Sequence, residues 1–367
     1  MIGSFRFMLA IFVVISHTRG YPFERLPDPA LSAIVAFFFL SGFLMPATLE
    51  RNYAGATLAS KSLRYLANRV LRIYPTYFFA LILFAAALSF NSAAREMYYF
   101  DARSILQNVL LLGLNQNEFW GHSQRFIGPA WTLDVEMQYY LIVPILVLLA
   151  RIAPRFIFSA SAPVCLGALY ILAFPTGRDA LDRSLIPWAP FFMAGFASYW
   201  YRSALSSCVN PFFLAGAGIL LTGTSVALAF VSLPASHWVL AVALMVWALW
   251  ILLKEQHSSE WDVLLGNLSY PVFILHAAVN TSGVPDAIAN ALWPGSVLML
   301  ALATLILTIP LSVLAELIIS RPIDRLRRML RGSQRGARRE SVSVMTDVHR
   351  EKPKLIGAIE NKLAPLE

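Results

Sequence analysis

The sequence predicts an all-α integral membrane protein of about ten transmembrane helices with both termini on the cytoplasmic side. Three observations carry that expectation. Of 367 residues, 58% are hydrophobic and 14% charged, with mean hydropathy +0.63, whereas a soluble domain is about one quarter charged. Apolar runs of about 17 to 25 residues, the length that crosses a hydrocarbon core, recur near 5–22, 31–49, 71–90, 131–151, 157–174, 186–203, 211–232, 237–254, 264–282 and 296–319. Basic residues crowd the connection after the second run (Arg51, Lys61, Arg64, Arg69, Arg72) and the segment after the tenth (Arg321, Arg325, Arg327, Arg328, Arg331), which the positive-inside rule places in the cytoplasm.

The first run holds one basic residue and no small-x-small cleavage signal before His17, so it is expected to stay attached as a helix rather than act as a removable leader. Residues 104–114 (SILQNVLLLGL) are apolar but too short to cross, which predicts an interfacial or re-entrant helix in the longest outer connection, 91–130. The outer connections carry Arg19, Arg25, Arg95, Arg103, Arg125, Arg178 and Arg183, several of them diluted by Glu96, Asp101, Glu118, Asp179 and Asp182. From Arg321 to Arg339 the chain is basic and partly amphipathic, as suits a segment lying on anionic inner-leaflet lipid. Residues 340–367 are polar and expected to be disordered. The domain reading is therefore a membrane domain over 1–322 and a basic tail over 323–367.

Twelve of the 29 Lys and Arg residues lie from Arg321 onward, so the basic balance describes the tail and gives no support to a nucleic-acid partner. Cys165 and Cys208 fall in different surroundings, which predicts no disulfide and no metal cluster. No internal repeat is evident, which weighs against a transporter or flippase built on inverted repeats, the alternative class for such a chain.

Function is expected where ionisable groups enter the apolar runs. Arg6 and His17 are eleven residues apart, about three helical turns, and so share a helix face. Counting at about 1.5 Å per residue puts His17, Glu136 and His276 each roughly 7 to 9 Å below the outer boundary, which predicts one shared level. An imidazole facing a carboxylate suits proton abstraction from a hydroxyl, and His17 is the better base. Any one of the three alone also suits a packing residue hydrogen-bonded to a neighbouring helix. Asp134 and Glu136 lie about 200° apart around a helix, so only one of them can face a given cavity, and spacing does not choose. At the opposite, cytoplasmic level, Arg69 and Arg72 lie one turn apart, able to hold phosphates or to serve as topology anchors.

Five blocks in order resemble the acyltransferase-3 family of integral membrane O-acyltransferases: FRFMLAIFVVISH around Arg6 and His17, FFFLSGFLM around Ser41, RVLRIYPTY (Arg69 to Tyr77), WTLDVEMQYYLIVP (Trp131 to Pro144) and LGNLSYPVFILH (Leu265 to His276). Thr132 and Ser320 depart from the family pattern, the latter standing where many members carry Glu. The resemblance selects Glu136 over Asp134. It implies transfer of an acyl group, usually acetyl, from cytoplasmic acetyl-CoA or another acyl-CoA to a hydroxyl of an extracytoplasmic or lipid-linked glycan, without a metal. His17 and Glu136 are then the catalytic candidates; Arg6, Arg69 and Arg72 the donor-binding ones; Ser41, Trp131 and His276 the substrate-binding ones. Trp120, His122 and Arg125 are candidates for acceptor contact. A bacterial inner membrane and an association with polysaccharide-export machinery complete the expectation.

Overall fold

Each expected apolar run coincides with a helix in the computed structural model, which describes residues 1–18, 29–53, 57–114, 124–173, 185–231, 233, 235–254 and 258–331. In chain order the elements are α1 (Ile2–Ser16), α2 (Pro29–Asn52), α3 (Leu58–Phe90), α4 (Ser92–Glu96), α5 (Ala102–Leu110), α6 (Ala130–Ile152), α7 (Pro154–Ala173) and α8 (Leu185–Trp200). They continue with α9 (Arg202–Cys208), α10 (Pro211–Phe230), α11 (Ser236–Lys254), α12 (Glu260–Thr281), α13 (Val284–Leu292), α14 (Val297–Ala315), a π-turn (Glu316–Ser320) and α15 (Arg321–Arg331). Among the described residues seven helices are long and apolar enough to cross a membrane: α2, α3, α6, α10, α11, α12 and the continuous α14–α15 run. The chain is an all-α membrane protein. Short polar side chains start several of these helices, since Thr57, Asn210, Ser259 and Ser296 each accept from a backbone N–H of the first turn.

Two boundaries differ from expectation with consequences for the site. The Thr57 cap starts α3 at Leu58, well before residue 71, so Arg64, Arg69 and Arg72 belong to a helix rather than to a connection. The described part of the basic segment, 321–331, extends α14 through the π-turn and packs on α3. There Asn68 Nδ2 donates to the Arg327 carbonyl and Arg327 Nε to Asn68 Oδ1, each at 3.2 Å, while Arg327 also pairs with Asp324. The expected disorder of 340–367 lies outside the described residues.

The short apolar segment packs on the long third helix. Tyr77 Oη donates to the Asn108 carbonyl at 2.8 Å and Tyr74 Oη to the Leu110 carbonyl at 2.6 Å, so α5 lies against the middle of α3. Leu111, Leu114, Phe126 and Ile127 are buried on the way to α6. The chain thus enters α6 already inside the protein.

Helix α1 runs along α12 and α2. Its start depends on Gly3, where an added Cβ would lie 1.8 Å from the Asp262 carbonyl oxygen and 3.0 Å from the Gly266 amide. The Asp262 carboxylate then accepts from Gly3 N at 3.1 Å, Ser4 N at 2.8 Å and Ser4 Oγ at 2.7 Å, satisfying amides that a helix N-terminus leaves unpaired. A Gly3→Val variant has to push α1 off α12, a cost of about 1 to 3 kcal/mol for overpacking. It is expected to melt at a lower temperature in detergent than the parent; equal melting would show that this contact carries no weight.

Candidate active site

A cavity of about 250 Å³ inside the bundle is walled by α1, α2, α3, α6 and α12, and four charged side chains converge on it: Arg6, Arg69, Arg72 and Glu136. Helical spacing explains the arrangement. Arg69 and Arg72 are one turn apart on α3, and Glu136 and Tyr140 one turn apart on α6. Ser41 Oγ and Tyr140 Oη both donate to Glu136 Oε1 at 2.5 Å, short distances proper to a charged acceptor. Arg69 is 2% exposed, its guanidinium carbon 5.4 Å from the Tyr65 ring centre and 5.9 Å from that of Tyr140, within cation–π range. Among the described residues its Nε and Nη1 have no hydrogen-bond partner. Three guanidinium groups facing one carboxylate leave the cavity with excess positive charge, and burying such charge is costly until an anion neutralises it.

Asp134 and Glu136 part company as helical geometry requires. Asp134 turns to the short apolar segment and to its own helix, accepting from Leu114 N at 2.9 Å and from Gln138 Nε2 at 3.1 Å. Glu136 faces the cavity.

Beneath the cavity opens a vestibule of about 530 Å³ between α1, α3, α12 and α15. The two spaces share Arg6, Arg72 and Tyr270, which form a neck; Tyr270 is fixed there by its hydroxyl, which donates to the Ile73 carbonyl at 2.8 Å. Arg327 and Arg328 face the vestibule along with Asp262, Glu316 and Asp324. Pro75 and Pro271, also on its wall, lack the amide that would bond the carbonyls of Leu71 and Asn267 one turn earlier. The π-turn that carries Glu316 and Ser320 lies at the same place, a local widening often found at functional sites.

His17 and His276 lie beyond the opposite end of the cavity. Phe37 and Phe273 line that end with ring centres 6.0 Å apart, and the Phe273 ring lies 6.5 Å from His276, which in turn meets His17 edge-on at 5.2 Å. The Val13 carbonyl, which can only accept, lies 2.8 Å from His17 Nδ1. That nitrogen therefore carries a hydrogen, which in the neutral ring leaves the lone pair on Nε2. His17 is exposed at the C-terminal end of α1, while His276 is wholly buried. A third cavity of about 170 Å³ adjoins His17, with Asn91, Tyr98, Asn280, Thr281 and Asp286 in its wall. Burial pushes the Tyr98 phenol up, against the lowering effect of its hydrogen bond to Thr281.

The expected meeting holds for His17 and His276, whereas Glu136 lines the inner cavity with Arg6, Arg69 and Arg72, a cavity that neither histidine lines; Arg6 lies eleven residues, or about 16 Å, from His17 along α1. Helix α6 begins inside the protein, so the start of its apolar run does not mark the outer boundary. For the same reason the arginines expected at the opposite level share the cavity of Glu136. Ser41 joins them. Trp131 lines none of the three cavities and packs its ring 5.5 Å from that of Trp188 and 6.5 Å from that of Phe38; His276 lines none of them either. Trp120 and His122 lie outside the described residues, and Arg125 is half-buried at their edge. Sequence reasoning missed Tyr270, Asp262 and Asp286. An acidic residue in the first turn of an apolar helix was the available signal for the last two.

No curated protein and no solved structure matches this chain. The family model described as an acyltransferase domain, Acyl_transf_3, matches residues 2–317, nearly the whole of the helical part whose vestibule, arginine neck and histidine pair have just been traced, and the chain belongs to the acyltransferase-3 family.

Proposed function

We propose that this membrane acyltransferase moves an acyl group, acetyl in the simplest case, from cytoplasmic acyl-CoA to a hydroxyl of an extracytoplasmic or lipid-linked glycan, in a bacterial inner membrane. One observation carries the reading: a polar vestibule and an arginine-lined inner cavity meet at Arg6 and Arg72, and His17 stands about 16 Å beyond Arg6 along α1. The pantetheine arm of CoA is as long as about four extended residues, roughly 15 Å. With the diphosphate at the arginine neck and the nucleotide in the vestibule, the arm fills the cavity and brings the thioester to the level of His17.

In that arrangement His17 Nε2 takes the proton of the acceptor hydroxyl as its oxygen attacks the thioester carbonyl, and the departing CoA thiolate receives that proton from the imidazolium. A variant of the same chemistry passes the acyl group through His17 Nε2 itself. Glu136 acts as a positioning residue that holds the arginines, with Ser41 and Tyr140 fixing its carboxylate. Passage of the thioester requires the Phe37 and Phe273 rings to part. The glycan arrives from the outer side, in one setting from polysaccharide-export machinery.

The test uses the full chain in lipid vesicles with acetyl-labelled acetyl-CoA and a glycan-bearing lipid extract. Label on the glycan hydroxyls supports the reading; glycan translocated without label favours a flippase and overturns it. Arg72→Ala is expected to raise the KM for acetyl-CoA about 10- to 100-fold, the worth of a charge-assisted phosphate contact of about 1.5 to 3 kcal/mol, with a smaller change in kcat. An unchanged KM would remove Arg72 from the donor site.

A further inference from the structure

Three positions on α12 mark the route from the vestibule to His17. Tyr270 stands at the neck, Phe273 at the end of the inner cavity and His276 beside His17, each three residues and about 4.5 Å of helix beyond the last. From α2, Phe37 meets Phe273 edge-to-face with ring centres 6.0 Å apart, a separation at which aromatic rings are in contact. The inner cavity therefore ends in two phenyl groups, with the histidine pair behind them. The neighbouring wall is rigid: Phe38 stacks on Phe192 with ring centres 4.6 Å apart and Phe192 on Tyr139 at 4.3 Å, all three buried. Phe37 is only half-buried, so its ring is the one with room to turn aside.

From this arrangement we infer that Phe37 and Phe273 form a constriction that selects the acyl group: a short uncharged acyl crosses to His17, while a longer or carboxylate-bearing one is bound on the donor side and not transferred. The inference rests on the acyl-transfer reading above and names the donor class for it. Size acts first. An acetyl group extends one methyl beyond its carbonyl, whereas each further methylene has to pass between rings already in contact, and a close-packed interior yields little room for it. Charge acts in the same direction. The terminal carboxylate of a succinyl group would leave a cavity lined by Arg6, Arg69 and Arg72 for a passage walled by Phe37 and Phe273. A carboxylate only accepts hydrogen bonds and phenyl rings offer no donor, so its charge would cross unpaired. Phe37 and Phe273 are thus specificity-determining residues, and His17 keeps the proton transfer.

The chemistry balances for any acyl group that crosses: the thioester carbon–sulfur bond breaks, the ester bond to the acceptor oxygen forms, and the acceptor proton passes through His17 to the CoA thiolate. The test gives the full chain in lipid vesicles labelled acetyl-, butyryl- or succinyl-CoA, with the glycan-bearing lipid extract as acceptor. The wild type is expected to favour acetyl over butyryl by at least about tenfold in kcat/KM, the lower end of what one methylene decides in a fitted apolar site, and over succinyl by at least about 100-fold. Succinyl-CoA should nevertheless compete with acetyl-CoA, which puts its rejection after binding. Phe37→Ala should bring butyryl within about threefold of acetyl by raising the butyryl kcat, a gain that a merely structural role would not produce; its melting temperature reports on the fold. Phe37→Leu, which keeps an apolar side chain, carries the same test in a variant that disturbs packing less, and Phe273→Leu should relax the preference in the same way. A wild type that transfers succinyl or butyryl as fast as acetyl overturns the constriction and leaves acyl transfer standing. So do Phe37→Ala and Phe37→Leu enzymes with unchanged donor preferences. A wild type that transfers none of the three acyl groups overturns the proposed function itself.

Discussion

Replacing His17 by alanine is expected to lower acyl transfer by about 10²- to 10⁴-fold, the usual weight of a general base, while the protein remains folded in the membrane. The second half of that expectation follows from where the side chain lies. His17 is exposed at the end of α1, and its ring makes a local bond to the Val13 carbonyl. Its removal opens no large cavity in the core, because the buried contacts of α1 come from Phe5, Leu9, Ala10, Val13 and Val14. The measurement is the initial rate of transfer from labelled acetyl-CoA, beside the elution profile of the detergent-solubilised variant. Wild-type rates in His17→Ala would reject both the direct mechanism and the acyl-histidine one. Those two are separated by mixing wild type with labelled acetyl-CoA and no acceptor: label bound to His17 marks the covalent route, and its absence the direct one.

Replacing Glu136 by alanine is expected to cost about 3 to 5 kcal/mol of stability, because removing one partner of a buried ionic cluster leaves the others uncompensated. Arg6, Arg69 and Arg72 would then face one cavity without a carboxylate, and the hydroxyls of Ser41 and Tyr140 would lose their shared acceptor. Low yield, a lowered melting temperature and loss of transfer should appear together. Glu136→Gln retains an acceptor for both hydroxyls and loses the charge, so it should recover part of the melting temperature but less of the activity. CoA added to the parent should raise its melting temperature, because a ligand that binds only the folded protein stabilises it. A Glu136→Ala protein with parental melting and activity would dissolve this account of the cluster.

What was legible beforehand concerned single helices. A run of apolar residues is a helix in a membrane because the backbone has no other way to satisfy its amides there, so each of the ten runs found its helix. The faces were legible too: Arg6 and His17 lie at opposite ends of one helix, and Asp134 and Glu136 point apart, because 3.6 residues per turn holds wherever the helix is placed. Neighbouring levels on one helix were therefore sound, and so was the meeting of His17 with His276, since α1 and α12 end at the same side of the bundle.

The sequence by itself determined the class of protein, its helices, the faces they present and, through five ordered blocks, the family. Only the tertiary structure decided which faces meet and at what depth. Glu136 joined the arginines instead of His17 because α5 and the buried stretch leading to α6 let that helix start inside the protein, which no count of residues along one run reports. Asp286 came to the side of His17 through a glycine turn between α12 and α13. Rise per residue is a property of one helix; the offset between two is set by the loops and side chains that lock them together, and it is that offset which separates the arginine-lined cavity from the histidine pair.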